Sequence, residues 1–122
     1  MRNLLLSSSI VLVVAVSLIS LNMATDAESL KAGQAIHTKL CLRCHGELGQ
    51  GDGPARKLLK VKPADWTDQE RMTQYSDEDL FKVVKFGGTS VGRSRLMPGF
   101  KTKMKDDQIR QIIIFIKSLK TE

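Results

Sequence analysis

Cys41-Leu42-Arg43-Cys44-His45-Gly46 is the stretch on which the reading of this chain turns, and its two cysteines are the only ones in 122 residues. Two thiols separated by two residues and followed at once by an imidazole have the spacing of covalent haem attachment. The spacing has a mechanical reason. On one helical turn both thiols can form thioethers to two vinyl groups along one side of a porphyrin, and the next residue lies under the ring, where an imidazole reaches the iron. Three other uses of the pair compete. A thioredoxin-like redox motif needs a strand-helix context that the flanking sequence lacks. A zinc knuckle needs two further ligands, and His37 is the only other Cys or His. A disulfide across so short a gap is strained. The expectation is one heme c, bonded to Cys41 and Cys44, with its iron held by His45.

Working outward, the chain has room for one domain. It holds one Trp, one Tyr and four Phe, few large aromatics around which to build a core. A domain this small buries little surface for its size and is often completed by a ligand or a covalent staple. A large apolar cofactor would supply the missing core.

Residues 1–27 are expected to be a signal peptide or an N-terminal membrane anchor, and residues 28–122 the domain. Arg2 precedes an apolar span from Leu4 to Leu21, with small residues after it, which is the pattern of an export signal. That span sits at the lower edge of the roughly 17–25 residues that cross a bilayer, so an uncleaved anchor is the rival reading. No cysteine lies near the cut to carry a lipid. Arg2 and Asp26 cancel, so the rest of the chain carries the whole formal charge of +6. A basic surface suits nucleic acid, anionic membrane or an acidic protein partner. Export sets nucleic acid aside.

Residues 29–40 read as a helix, with Gly33 inside it. An interior glycine costs a helix about 1 kcal/mol against alanine, which invites a close approach by another element. Four glycines between Gly46 and Gly53 make a loop with left-handed positions. Pro54 opens a short helix through Lys60. The stretch Lys62-Pro63-Ala64-Asp65-Trp66 is extended. Ser76 caps a helix that runs to Gly87-Gly88, with acidic residues in its first turn. Residues 88–104 are irregular. Asp106 and Asp107 open a last helix whose Ile109, Ile112, Ile113, Phe115, Ile116 and Leu119 form a broad apolar face. No strand-like alternation appears. The pattern is a handful of short helices joined by long loops, and such loops in a small domain wrap something.

A low-spin electron carrier needs a sixth iron ligand, for which a Met thioether raises the reduction potential. Met1 and Met23 belong to the leader, and Met72 reads as core filler. Met97, in Arg95-Leu96-Met97-Pro98-Gly99-Phe100, lies in a loop that can cross to the distal face, stiffened by Pro98. It is preferred to Met104 at the mouth of the last helix. His37 reads as a surface histidine of the first helix.

These stretches together resemble the class I cytochrome c family, over nearly the whole chain from about Lys31 to Leu119. The resemblance rests on Gly33-Gln34-Ala35-Ile36, Cys41-Leu42-Arg43-Cys44-His45-Gly46, Gly49-Gln50-Gly51-Asp52-Gly53-Pro54-Ala55, Lys62-Pro63-Ala64-Asp65, Met97-Pro98-Gly99-Phe100 and the last helix. It implies an all-α cytochrome c fold, about four short helices and long loops wrapped around one covalent haem, with His45 and Met97 as axial ligands. It implies that the first and last helices cross at Gly33, with Phe115 where the family often has Tyr. It also implies that the carbonyl of Pro63, or a neighbour, accepts the other ring N–H of His45. Trp66 reads either as a donor to a haem propionate or as a half-buried core residue. Arg93 and Arg95 read as propionate partners or as an exposed basic loop.

The resulting expectation is outer-sphere electron transfer between respiratory redox partners in the periplasm, by a monomer that is no enzyme in itself. Lys82, Lys85, Lys101, Lys103 and Lys105 are expected to steer acidic patches on those partners. An alternative is a haem subunit held permanently in a larger membrane or periplasmic oxidoreductase. A gas sensor or haem enzyme with an open iron is disfavoured, because no histidine is placed to serve the distal side.

Overall fold

The computed structural model describes residues 25–119. The expected leader lies outside the described residues as far as residue 24, and residues 25–27 are helical. Among the described residues there is no strand, and no helix is long and apolar enough to cross a membrane.

The backbone is helical without a break from residue 25 to residue 45. Helix α1 (residues 25–36) runs into a wide turn over His37–Cys41, in which the Leu42 N–H reaches back five residues to the His37 carbonyl, and then into α2 (Leu42–His45). An α-helix takes 3.6 residues per turn, so residues spaced by four drift around its axis. A turn closed over five residues winds more slowly and offsets that drift. Gly33, His37, Cys41 and His45 are consequently all buried although they span three turns.

The last carbonyls of a helix have no partner within it. Here the glycine loop supplies them. The N–H groups of Gly46, Gly53 and Gly51 donate to the carbonyls of Leu42, Cys44 and His45 at 2.9, 3.2 and 2.8 Å. Gly46, Gly49 and Gly51 have the positive φ expected of this loop. The chain continues through a 3₁₀ turn at Pro54–Leu58, two residues shorter than the expected helix, and an irregular stretch to Trp66.

Helix α3 (Gln69–Met72) is a single turn whose Arg71 N–H donates to the Asp68 carboxylate. Helix α4 (Asp77–Phe86) opens on a reciprocal cap between Ser76 and Asp79. The Ser76 hydroxyl and N–H hold the Asp79 carboxyl below the usual range. Such a cap stabilises a helix by about 1 kcal/mol. Helix α5 (Asp106–Ser118) carries the core: Ile109, Ile112, Ile113, Phe115 and Ile116 are buried, and the first two are fully so. Each stabilises the fold by about 1.5–3 kcal/mol.

Helices α4 and α5 run antiparallel and are clasped at both ends. The Lys85 ammonium, near the end of α4, donates to both carboxylate oxygens of Asp106 at the start of α5, at 2.7 and 2.9 Å. At the other end Lys117 pairs with Asp77. Each charge also sits on the helix end that its sign suits. Lys85 is therefore taken up within the fold, which removes it from the expected set of steering lysines. Helix α1 crosses α5 at Gly33, where an added Cβ would lie 2.2 Å from the Gln111 carbonyl oxygen and 2.8 Å from Phe115 Cβ. The glycine expected to admit a close approach does so, against the expected aromatic.

Candidate functional site

Between these helices lies a cavity of about 320 Å³, within the range of small-molecule sites at roughly 300–1,000 Å³. Most of its wall is apolar: Leu40, Leu59, Val61, Leu80, Val83, Val84, Val91, Leu96, Phe100 and Ile116 contribute, with Met72. Cys41, Cys44 and His45 form part of the wall, and so do Met97 and Pro98 from the far end of the chain. The fold therefore brings the paired thiols, the imidazole and one thioether to a single hollow.

Two backbone devices place these groups. On the cysteine side, the glycine loop described above ties down the end of α2. On the methionine side, the last turn of α4 does the equivalent work. Its Val84 and Lys85 carbonyls accept the N–H groups of Phe100 and Lys101 at 3.0 and 3.1 Å, and the Gly88 N–H donates to the Met97 carbonyl at 2.9 Å. Gly88 is needed for that contact, since a Cβ there would meet the Ser94 carbonyl oxygen at 2.2 Å. Loop and helix lie backbone to backbone, and Met97 is carried into the cavity wall.

Met104 is placed elsewhere. It is buried in the hydrophobic core and is absent from the cavity wall. Met72 packs against the core, as expected of a filler, and also touches the cavity.

His45 is held by its ring. Its Nδ1 lies 3.2 Å from the Ala64 carbonyl oxygen. A carbonyl can only accept, so Nδ1 carries the proton and Nε2 keeps the lone pair a metal needs. The acceptor is thus Ala64, the neighbour of Pro63 and not Pro63 itself. Pro63 lines the cavity, and its own carbonyl lies against Gly51, where a Cβ would approach to 2.4 Å. Burial lowers the His45 pKa to about 4, against the pull of the Ala64 carbonyl, and the nearby His37 lowers it further. The imidazole is neutral at physiological pH, the form that ligates. Burial likewise pushes the Cys41 thiol up to about 12, with Cys44 adding to the effect. No disulfide joins the two cysteines.

Trp66 is buried and stacks on His45, with ring centroids 4.1 Å apart and planes 19° from parallel. It also lines the cavity. The polar part of the wall comprises Lys62, Arg71, Tyr75, Arg93 and Ser94. Arg93 reaches the cavity and lies over the Tyr75 ring at 5.6 Å, whereas Arg95 is exposed and outside the wall. Arg71 and Tyr75 were not anticipated from sequence. Neither carries a motif, and α3 is too short to show a period.

His37 departs most from its expected place. It is 2 % exposed, not a surface residue, and its Nε2 has no hydrogen-bond partner. An unpaired buried polar atom costs about 1–3 kcal/mol. Burial lowers its pKa, with the Gly46 carbonyl opposing. The spacing Gly33, His37, Cys41 was the available signal, since residues four apart share a helix face.

This donor set fits a haem c. Two thiols three positions apart open on an apolar hollow beside a neutral imidazole whose Nδ1–H is already engaged, and basic side chains suit carboxylates at the polar part of the wall. The zinc alternative lacks ligands: among the described residues no three of His, Cys, Asp and Glu come together to hold a metal ion.

Comparison with known proteins gives the same direction. Residues 28–116 match the family model described as cytochrome c oxidase, cbb3-type, subunit III. Cytochrome c oxidase subunit 2 of Bacillus sp. (strain PS3) is 30 % identical over 95 residues, 75 % of this chain. The chain spans about a quarter, 26 %, of that relative's length. Among solved structures, the KustC0563 c-type cytochrome superposes with a TM-score of 0.60 at 20 % identity, over 73 % of this chain and 98 % of its own. A chain of the Kuenenia stuttgartiensis reducing HAO-like protein complex Kustc0457/Kustc0458 superposes with a TM-score of 0.63 at 26 % identity, over 77 % of this chain and 44 % of its own. Helices, paired cysteines and family match agree, and the chain belongs to the class I c-type cytochrome family, with a domain of the kind that this family model describes and a covalent heme c as cofactor.

Proposed function

We propose that this protein is a one-haem electron carrier acting outside the cytoplasm, with thioethers to Cys41 and Cys44 and an iron axially held by His45 and Met97. The observation that carries this reading is that Met97 lines the same cavity as Cys41, Cys44 and His45, while Met104 does not. The haem supplies a one-electron ferric/ferrous couple. The chain's part would be to hold that iron through His45 and Met97. Ala64 fixes the imidazole, the α4 carbonyls fix the methionine loop, and the apolar wall excludes water. Val61 and Leu96, both in the wall, are 55 % and 49 % exposed, which leaves an apolar rim for electron entry and exit. The localisation rests on the leader reading of residues 1–27 and on the domain reading of residues 28–122.

The test is the visible and near-infrared spectrum of the purified oxidised protein, alongside its alkaline pyridine spectrum. Two thioether bonds and a weak sulfur-to-iron charge-transfer band are expected. A high-spin spectrum without that band would mean an open distal side and would move an enzyme or sensor role ahead.

Acidic docking patches on the partner are part of the same proposal. Lys101, Lys103 and Lys105 are exposed, and Lys62, Arg71 and Arg93 border the cavity. Electron transfer to an acidic partner is expected to slow at least tenfold as salt rises from about 10 mM to 0.15 M, since the screening length shortens from about 30 to 8 Å. A flat response would remove the steering idea.

A second reading is a haem subunit held in a larger oxidoreductase. It is favoured by the match to an oxidase subunit's family model and by a relative of which this chain spans about a quarter. Intact mass and native size from the source membrane separate the two. A processed monomer supports the shuttle, and a full-length chain in a stable complex supports the subunit.

A further inference from the structure

His37 is the polar side chain to which the haem reading gives no task. It is buried, its Nε2 is unpartnered, and it stands outside the cavity wall. A leucine would fill the same space without stranding a nitrogen but would offer no ring to Trp66. The contacts of the ring suggest what the histidine does. Its centroid lies 5.6 Å from that of Trp66, with planes at 65°, an edge-on approach. Behind it, Phe115 of α5 closes at 5.0 Å. Trp66 in turn stacks face to face on His45. The Gly46 carbonyl, which accepts from the His37 ring, belongs to the residue covalently next to His45. A single column of rings therefore runs from the last helix to the proposed iron ligand: Phe115, His37, Trp66, His45.

The wide turn at His37–Cys41 keeps Cys41 and His45 on the same buried face as His37. The Ala64 carbonyl holds one edge of the imidazole. Trp66, stacked on its face, limits the tilt that a single hydrogen bond leaves soft, provided Trp66 itself cannot tilt. His37 occupies the place into which Trp66 would tilt.

We propose that His37 is a positioning residue that sets the ring plane of His45 by holding Trp66 against it. The inference rests on His45 being the iron ligand. The plane of an axial imidazole governs how unpaired spin is spread over the haem methyl groups, so the ferric protein reports it directly.

The test compares the holoprotein with His37→Leu, His37→Phe and Trp66→Leu by proton NMR of the ferric haem methyl groups and by reduction potential. His37→Leu is expected to change the spread of the methyl shifts and to shift the potential. His37→Phe, which keeps the aromatic wedge, is expected to preserve the order of the methyl resonances. Trp66→Leu should reproduce the His37→Leu pattern, and the double variant should add nothing further, as expected of residues acting in series. Unchanged methyl shifts in His37→Leu, or an equal change in His37→Phe, would overturn the proposal. If His37→Leu fails to load haem, the reduced wild-type protein decides: Overhauser contacts from the Trp66 ring to both His37 and His45 support the column, and their absence overturns it. Loss of the underlying reading looks different, as a ferric wild-type NMR spectrum without the strongly shifted ring protons of an iron-bound His45.

Discussion

Replacing Met97 by alanine is expected to erase the sulfur-to-iron charge-transfer band, turn the low-spin spectrum high-spin, and leave the covalent haem content unchanged. The proposed thioethers use Cys41 and Cys44, which the substitution does not touch, so attachment and ligation separate cleanly. The reduction potential should fall by on the order of a few tenths of a volt, within the roughly 0.8 V that axial ligation commands across haem proteins. Met97 is only half-buried, so the packing lost is about 1 kcal/mol, less than for a fully buried side chain.

Met104→Ala should do the reverse. Met104 is 6 % exposed among Phe100, Ile109 and their neighbours, and truncation there leaves a hole in the core. Such changes cost about 2–5 kcal/mol. Guanidinium unfolding of the holoprotein should show that loss while the charge-transfer band stays in place. If Met104→Ala instead removed the band and Met97→Ala kept it, the distal ligand would have been assigned to the wrong side of Phe100.

The two methionines also mark the limit of what the sequence can disclose. Both lie in the irregular stretch between two strongly patterned helices, and both are followed by a feature that could turn the chain. What separates them is the seam between the α4 end and residues 97–101, a set of backbone hydrogen bonds that no side-chain pattern encodes. The helices themselves were legible, because Ser76, Gly87 and the isoleucines of α5 write caps, stops and a period into the chain. Gly33 was legible as a puzzle and Phe115 as its answer. The proposed haem attachment residues are legible because their spacing is the chemistry. The acceptor for His45 was legible only to within one residue, since a carbonyl carries no side-chain signature. Arg71 and Tyr75 reach the cavity from a single-turn helix and the bend after it, where spacing says nothing. His37 looks solvated in the sequence until Gly33, four residues earlier, and Cys41, four residues later, are read as one buried face. The wide turn that keeps all of them on that face has no sequence signature here.

Gly33→Ala tests the joint on which the arrangement hangs. Helix propensity alone predicts a gain of about 1 kcal/mol, because alanine replaces glycine inside α1. The structure predicts the opposite sign. The new methyl group would sit 2.2 Å from the Gln111 carbonyl oxygen and 2.8 Å from Phe115 Cβ, and the first of these is backbone, which cannot swing aside. α1 and α5 must therefore separate, and separation loosens Ile112, Phe115 and Ile116 together. Overpacking in a core costs about 1–3 kcal/mol and occasionally more, which outweighs the propensity term. Gly33→Val, with two further carbons at the same point, should exceed it and approach the roughly 5–15 kcal/mol by which small domains are stable at all. Denaturant unfolding of both variants as holoproteins measures the series. Alanine should lower the midpoint clearly, and valine should abolish or nearly abolish the cooperative transition. A stabilised Gly33→Ala would mean that α1 and α5 are not in contact at Gly33. The same result would remove Phe115 as the back wall of His37, because Phe115 owes its position to that crossing. The effect on the haem should follow the effect on the helices. α1 continues into the turn that carries Cys41, and α5 supplies Ile116 to the cavity wall, so a crossing forced open moves two sides of the site at once.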